Sequence, residues 1–270
     1  MSSTVSKIIS MANQKGGVGK TTSAVNLATA LAIAGKKILL IDFDPQGNAS
    51  TGFGINNSER AKKNIYNVLA EEISIKDAIF NAEIKGLDIL VSDVNLSAAE
   101  VELVNIEGRE FILKSLLKEV SNLYDYILID CPPSLGMLTL NALAASDGVM
   151  IPLQCEFYAL EGLSHLLKTI EKVRKSLNPA LQIHGILLTM HDRRNNLTEQ
   201  VESDVRQYLG KDVFETVIPR NIRISEAPSH GQPAILYDHK CSGSVAYMHL
   251  AREMLQREKK LDKQPSEMVN

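Results

Sequence analysis

Gln14-Lys15-Gly16-Gly17-Val18-Gly19-Lys20-Thr21-Thr22 is the stretch on which the reading of this chain turns. Three glycines within four positions let the backbone curl tightly, with its N–H groups turned inward toward an anion. Lys20 brings a point charge to the β- and γ-phosphates of a nucleotide, and the Thr21 hydroxyl suits Mg²⁺. Ile8, Ile9 and Met11 precede the loop as a buried strand; Val25, Leu27, Ala28, Leu31 and Ala32 follow it at helical spacing. The loop therefore opens a helix, where backbone N–H groups and the helix dipole favour phosphate. The common phosphate-loop pattern has a glycine five residues before Gly19. Gln14 stands there instead, and a second lysine, Lys15, precedes the glycines. The stretch fits the variant pattern K-G-G-x-G-K-T-T.

Outward from the loop, short apolar runs alternate with helical patterns. The runs predict strands at Lys7–Met11, Lys37–Asp42, Leu87–Val91, Tyr126–Asp130, Gly148–Leu153 and Ile183–Thr189. Ile38-Leu39-Leu40-Ile41 and Ile127-Leu128-Ile129 are continuous rather than alternating, as in strands covered on both faces. Helices are predicted near Thr21–Ala34, Glu107–Glu119, Met137–Ala145, Leu160–Leu177, Thr198–Tyr208 and Ser244–Lys259, with Gly35 placed to end the first. This order implies an α/β fold, doubly wound, with a mostly parallel sheet and helices on both faces. It corresponds to one domain over residues 1–260, followed by a polar, frayed tail over 261–270.

Carboxylates stand at the ends of two of these strands. Asp42 and Asp44 follow Ile38–Ile41, and Asp130 ends Tyr126-Ile127-Leu128-Ile129. Strand C-termini face the ligand crevice of an open α/β sheet. An aspartate after an apolar strand in a phosphate-loop protein organises Mg²⁺. One such aspartate alone reads best as a turn or a helix cap; three behind one phosphate loop read as a metal and reaction site.

Composition narrows the remaining classes. The chain has 270 residues, 44% hydrophobic and 23% charged, which is ordinary for a globular protein. Its net charge of −3 excludes blanket attraction to nucleic acid, so any such binding needs a local patch. Cys131, Cys155 and Cys241 are far apart and form no C-x-x-C pair, which argues against zinc and disulfides and suits a reducing cytoplasm. No apolar run approaches membrane-spanning length, and Lys7 leads straight into the first strand without a signal-peptide core.

The stretches Lys15–Thr22, Ile41–Ser50, Tyr126–Ser134, Thr189–Leu197 and Ile218–Gly231 resemble the ParA/Soj chromosome- and plasmid-partitioning ATPases, P-loop NTPases with a deviant Walker A motif. The wider group includes MinD and the nitrogenase iron protein. The resemblance extends over almost the whole chain, and Ile218–Gly231 is its most specific part. It implies an Mg²⁺-dependent ATP hydrolase that forms a homodimer with two ATP molecules buried between the subunits. Residues Lys15 to Thr22 would contact the nucleotide. Lys15 would reach the partner's ATP, as an arginine finger does elsewhere, while Lys20 and Thr21 act in cis. Asp44 would position the attacking water, Asp130 would hold Mg²⁺ through water, and Pro219 and Asn221 would contact adenine. Arg194 and Arg223 match positions that touch non-specific double-stranded DNA; Arg193, Arg206, Arg220 and Lys240 are weaker candidates. From Met190 onward basic and acidic residues balance, so two weak halves would have to combine in a dimer. A ParB-type centromere-binding protein is the implied partner, and the implied location is cytoplasmic and nucleoid-associated. The larger relatives' N-terminal DNA-reading domain is not expected here, nor is operon repression.

Two rivals come from other classes. A MinD-like membrane-surface ATPase requires an amphipathic C-terminal helix, and Arg257–Pro265 offers almost no apolar face. An iron–sulfur ATPase would use Cys131, but Cys155 and Cys241 supply no matching second ligand. Cys131 reads instead as a small buried packing residue.

Overall fold

The computed structural model describes residues 6–263. The strands are β1 (Lys7–Met11), β2 (Ile38–Asp42), β3 (Ile79–Ile84), β4 (Leu87–Leu90), β5 (Tyr126–Asp130), β6 (Gly148–Gln154) and β7 (Gln182–Thr189). They form one sheet in the order β3-β4-β2-β5-β1-β6-β7. Every neighbouring pair is parallel except β3 with β4. All six predicted strands match to within a residue at each end, and only β3, the neighbour of β4, escaped prediction. That edge strand is half exposed and bulged, with Glu83 at φ 57°, so it carries neither a continuous nor a clean alternating pattern.

The central strands bury both faces because their side chains alternate between two helical layers. In β2, Ile38 and Leu40 enter one core while Leu39 and Ile41 enter the other; Leu128 and Ile127 of β5 divide the same way. The first core holds the helix Lys20–Ile33 and the helix Ser242–Lys263, which pack on each other. Leu27 and Leu31 are fully buried there, each contributing roughly 1.5–3 kcal/mol through burial. The opposite face carries the helices Leu96–Glu102, Ile112–Leu117 and Met137–Ala145, with Ala159–Ser176 and Asn196–Leu209 covering the β6–β7 side.

Two expectations are corrected. The predicted helix Glu107–Glu119 is shorter and broken: Gly108, at φ 71°, precedes a 3₁₀ turn at Arg109–Phe111, and the α-helix runs only over Ile112–Leu117. The last helix continues to Lys263, past residue 261 where the tail was expected to begin; residues 264–270 of that expected tail lie outside those described.

Sheet order places the site. β2, β5 and β1 are adjacent, and in register Met11 pairs with Asp130 and Asp130 with Asp42. Three strand C-termini thus end side by side under the phosphate loop. This is the crevice in which open α/β sheets bind ligands.

Candidate nucleotide site

Gly17 and Gly19 adopt φ of 76° and 87°, backbone that only glycine takes up without strain. Gly19 caps the helix Lys20–Ile33 without a side-chain acceptor, so the first N–H groups of that helix remain available to an anion. The loop is tied down on two sides. Thr189 at the end of β7 donates its hydroxyl to the Val18 carbonyl at 2.8 Å. Asn13 donates to the Pro152 carbonyl on β6 at 2.7 Å and accepts from the Lys15 N–H at 3.0 Å.

The two lysines of the loop have opposite surroundings. Lys20 is 6% exposed and its ammonium donates to the Lys15 carbonyl at 3.1 Å. Burial pushes its pKa down, against the pull of Asp130, Cys131 and Asp44. Such a cation gains from an arriving phosphate. The Lys15 side chain is exposed and forms an ion pair with Glu156, two residues past β6.

The carboxylates divide the same way. Asp42 is fully buried and satisfied: its Oδ2 accepts from the Ser50 N–H at 2.7 Å and the Ser50 hydroxyl at 2.6 Å. Burial still pushes it up to about 6, offset in part by those bonds. Asp42 is therefore a brace, whereas Asp44 sits on the turn beyond it, with Oδ1 accepting from the Gln46 N–H at 3.0 Å. Asp130 is fully buried, and neither of its oxygens has a hydrogen-bond partner. Burial pushes its pKa well up, with Asp42 adding to the rise and the nearby Thr21 hydroxyl opposing it. An unpaired buried carboxylate is costly, and a divalent cation beside Thr21 would satisfy it. The donor set of a hydroxyl and a carboxylate oxygen is that of Mg²⁺.

Pro219 and Asn221 border a cavity of about 270 Å³ that adjoins the loop at Gly19 and Thr22 and is walled by Met190, Ile218, Ile224 and Pro228. The chain reaches it because His191 and Pro219 extend β7 as a parallel bridge, with the His191 N–H bonded to the Ile218 carbonyl at 2.9 Å. Asn221 also caps the helix Ile222–Glu226 through the Arg223 N–H and donates to the Ser242 hydroxyl at 2.9 Å.

Arg194 and Arg223 are both exposed, and each is engaged within its own chain. Arg194 forms a two-pronged bond with Asp192, both at 2.9 Å. Arg223 donates to Glu226 at 2.9 Å and lies 3.7 Å from Asp238. The structure does not gather them into one concavity: Arg194 lines a groove with Arg193, Arg220 and His249, and Arg223 stands outside it. Among the weaker candidates, Arg206 is tied to Glu202 and the Phe214 carbonyl. Cys131 is buried as expected, its thiol pushed up by burial. No cluster of three metal-ligating side chains occurs among the described residues.

Sequence reasoning missed Glu156, Thr189, Asn13 and Ser50. Thr189 carried one available signal, its place at the C-terminal end of a predicted strand.

A family model described as an AAA domain, AAA_31, matches residues 6–183. The chain is 54% identical to the chromosome partitioning protein ParA of Caulobacter vibrioides, covering 96% of this chain and 97% of that one. It is 52% identical to the sporulation initiation inhibitor protein Soj of Bacillus subtilis, over 92% and 98%. In structure it is similar, with TM-score 0.83 and 34% identity over 94% and 96%, to a Mycobacterium smegmatis protein described as cobyrinic acid a,c-diamide synthase with bound ATP analog and magnesium. Relatives this similar over nearly the full length, and a lysine-flanked phosphate loop over three aligned strand ends, place the chain in the ParA/Soj family of chromosome-partitioning ATPases.

Proposed function

We propose that ATP drives two copies of this chain to pair face to face, that the pair binds double-stranded DNA without sequence preference, and that hydrolysis, stimulated by a ParB-type centromere-binding protein, releases it. The observation that carries this reading is the divergence of the two loop lysines. Lys20 is buried in the cradle and serves its own nucleotide. Lys15 is held at the surface by an ion pair it can exchange for a phosphate of the partner's ATP.

The remaining roles follow from position. The N–H groups from Gly16 to Thr22 receive the phosphates, Thr21 and Asp130 hold Mg²⁺, and Pro219 and Asn221 border the adenine. Bound there, Mg²⁺ neutralises phosphate charge. ATP and Mg²⁺ accord with the ATP analog and magnesium in the M. smegmatis relative. Asp44 accepts a hydrogen bond from water and aligns it, and Lys15 and Lys20 balance the charge that develops on the transferring group. Residues 1–260 act as one ATPase domain. The protein works in the cytoplasm, on the nucleoid.

The membrane-surface alternative finds less support. No helix among the described residues is long and apolar enough to cross a membrane. In the last helix Tyr247, Leu250, Ala251 and Met254 are buried in the core and are not free to meet a lipid surface. Light scattering with ATP and with ADP, followed by addition of duplex DNA or anionic liposomes, tests the proposal. A dimer that appears with ATP and binds DNA of any sequence is expected. A monomer in both states, or ATP-dependent sedimentation with liposomes alone, overturns it.

A further inference from the structure

We infer that Arg60 is a positioning residue for hydrolysis: its buried guanidinium clamps the turn Asp44–Gly47 and thereby holds the Asp44 carboxylate in place, an inference that rests on the role proposed above for Asp44. Arg60 is 5% exposed, and arginine is almost never so buried unless its charge and donors are used. Nε donates to the Ile55 carbonyl at 2.8 Å, one terminal nitrogen to the Gly47 carbonyl at 3.1 Å, and the other to the Thr51 hydroxyl at 2.9 Å. All three acceptors lie on the segment that begins at the Asp44 turn.

Gly47 is where the clamp meets that turn. Its N–H closes the turn onto the Asp44 carbonyl at 2.9 Å, and its own carbonyl also receives the Thr51 N–H and hydroxyl, both at 3.0 Å. Its φ is 62°. A Cβ at this position would come within 2.9 Å of the Arg60 guanidinium and 3.0 Å of the Ser92 carbonyl. Guanidinium and turn are therefore fitted to each other, and the fit requires glycine twice, for conformation and for space.

The other end of the clamp is anchored. Arg60 closes the short helix Asn57–Arg60, whose start is set by a reciprocal cap between Asn56 and Glu59. The Arg60 carbonyl accepts from the buried Asn64 side chain at 2.9 Å, and the next residue, Ile65, donates to the Val91 carbonyl just past β4 at 2.9 Å. A path of hydrogen bonds thus runs from the sheet through Arg60 to the turn that carries Asp44. Asp42 and Asp93 supply the compensating negative field around the buried cation. For stability alone, a well-packed apolar residue would serve as well as a buried charge. What only a guanidinium supplies is three donors in a rigid plane, one for each acceptor, which a lysine ammonium cannot reproduce.

The test compares Arg60→Ala, Arg60→Lys, Thr51→Val and Asp44→Ala by single-turnover ATP hydrolysis, calorimetric ATP affinity and thermal melting. Displacing a reacting group by about 1 Å costs on the order of 100-fold in rate. Arg60→Ala should lose roughly 10- to 100-fold in rate with ATP affinity unchanged. Arg60→Lys should recover part of that loss. Thr51→Val, which removes one acceptor and leaves Arg60 in place, should show a smaller loss in the same sense and decides the matter if Arg60→Ala does not fold. An unchanged rate in both Thr51→Val and a folded Arg60→Ala overturns the inference. So does a fall in ATP affinity and melting temperature as large as the fall in rate. If Asp44→Ala hydrolyses like the wild type, the Asp44 reading itself is wrong; if it is inactive while the Arg60 variants are normal, only the clamp is.

Discussion

The strand-end site and the arginine face are built on opposite principles. At the ends of β1, β2 and β5 the charged groups are buried and stand on paired strand ends and the loop beside them. Lys20 donates to a backbone carbonyl and Asp130 has no hydrogen-bond partner, so a bound ligand would supply what burial leaves unmet. Around Arg194 and Arg223 the charges are exposed, and each already has a carboxylate from its own chain. The first region is preorganised and binds by satisfying what burial left unsatisfied. The second has to trade one partner for another, in water, where each exchange is worth little. Lys15 lies between the two: it belongs to the loop by sequence and to the surface by its ion pair with Glu156.

The largest expected effect tests that intermediate residue. Lys15→Ala should leave ATP binding by the monomer intact and lower hydrolysis by roughly 10³-fold or more, the worth of a comparable trans-acting cation. A variant with the wild-type stimulated rate would return Lys15 to the cis cradle and erase the distinction from Lys20.

Next comes the orphaned carboxylate. The folded-state pKa of Asp130 is raised, so its ionised form costs stability at neutral pH, and that cost is relieved as pH falls through the raised value toward 3.8. Asp130→Asn should therefore stabilise the ligand-free protein at neutral pH, by about 1–3 kcal/mol, the usual cost of a buried unsatisfied group. The gain should shrink on acidification, and Mg²⁺ should no longer raise the melting temperature in the presence of nucleotide. A ligand-free variant that melts below the wild type would mean that the carboxylate is a structural partner after all. Asp42, pushed up to about 6, contributes in the same sense between about pH 6 and pH 4.

The smaller effects lie on the arginine face. Arg223→Glu should spare ATP binding and flatten the salt dependence of DNA binding by about 0.9 in log–log slope for each phosphate that is no longer neutralised. It should do so equally for all sequences, since phosphate contacts carry no base information. Smallest is Asp192→Asn, which frees Arg194 from its two-pronged bond; DNA affinity at low salt should rise by about two- to fivefold. A fall instead would show that Asp192 orients Arg194 toward the phosphate rather than competing with it.

The contrast between the regions also explains what was legible beforehand. Lys15 to Thr22, Asp42, Asp44 and Asp130 were visible because a glycine loop and strand-terminal acids have chemistry that survives any detail of packing. Arg60 and Glu156 were invisible: a lone arginine in Glu59-Arg60-Ala61 reads as surface charge, and only folding shows that it is enclosed by Gly47, Thr51 and Ile55. β3 was missed because an edge strand with a bulge has no periodicity to read, and Glu107–Glu119 was overextended because Gly108 breaks a pattern whose apolar spacing still looks helical.

By itself the sequence determined the layering of the sheet, the phosphate cradle and the identity of the charged groups around it. These follow from local rules: continuous apolar runs must be covered on both faces, and glycine alone adopts φ near 80° without strain. Tertiary structure alone decided which charges are spoken for. Whether an aspartate braces a loop, as Asp42 does through Ser50, or is left without a hydrogen-bond partner, as Asp130 is, depends on donors brought from elsewhere in the chain. That outcome is set by burial and by partners within about 3 Å, the reach of a hydrogen bond, and no spacing along the chain encodes it.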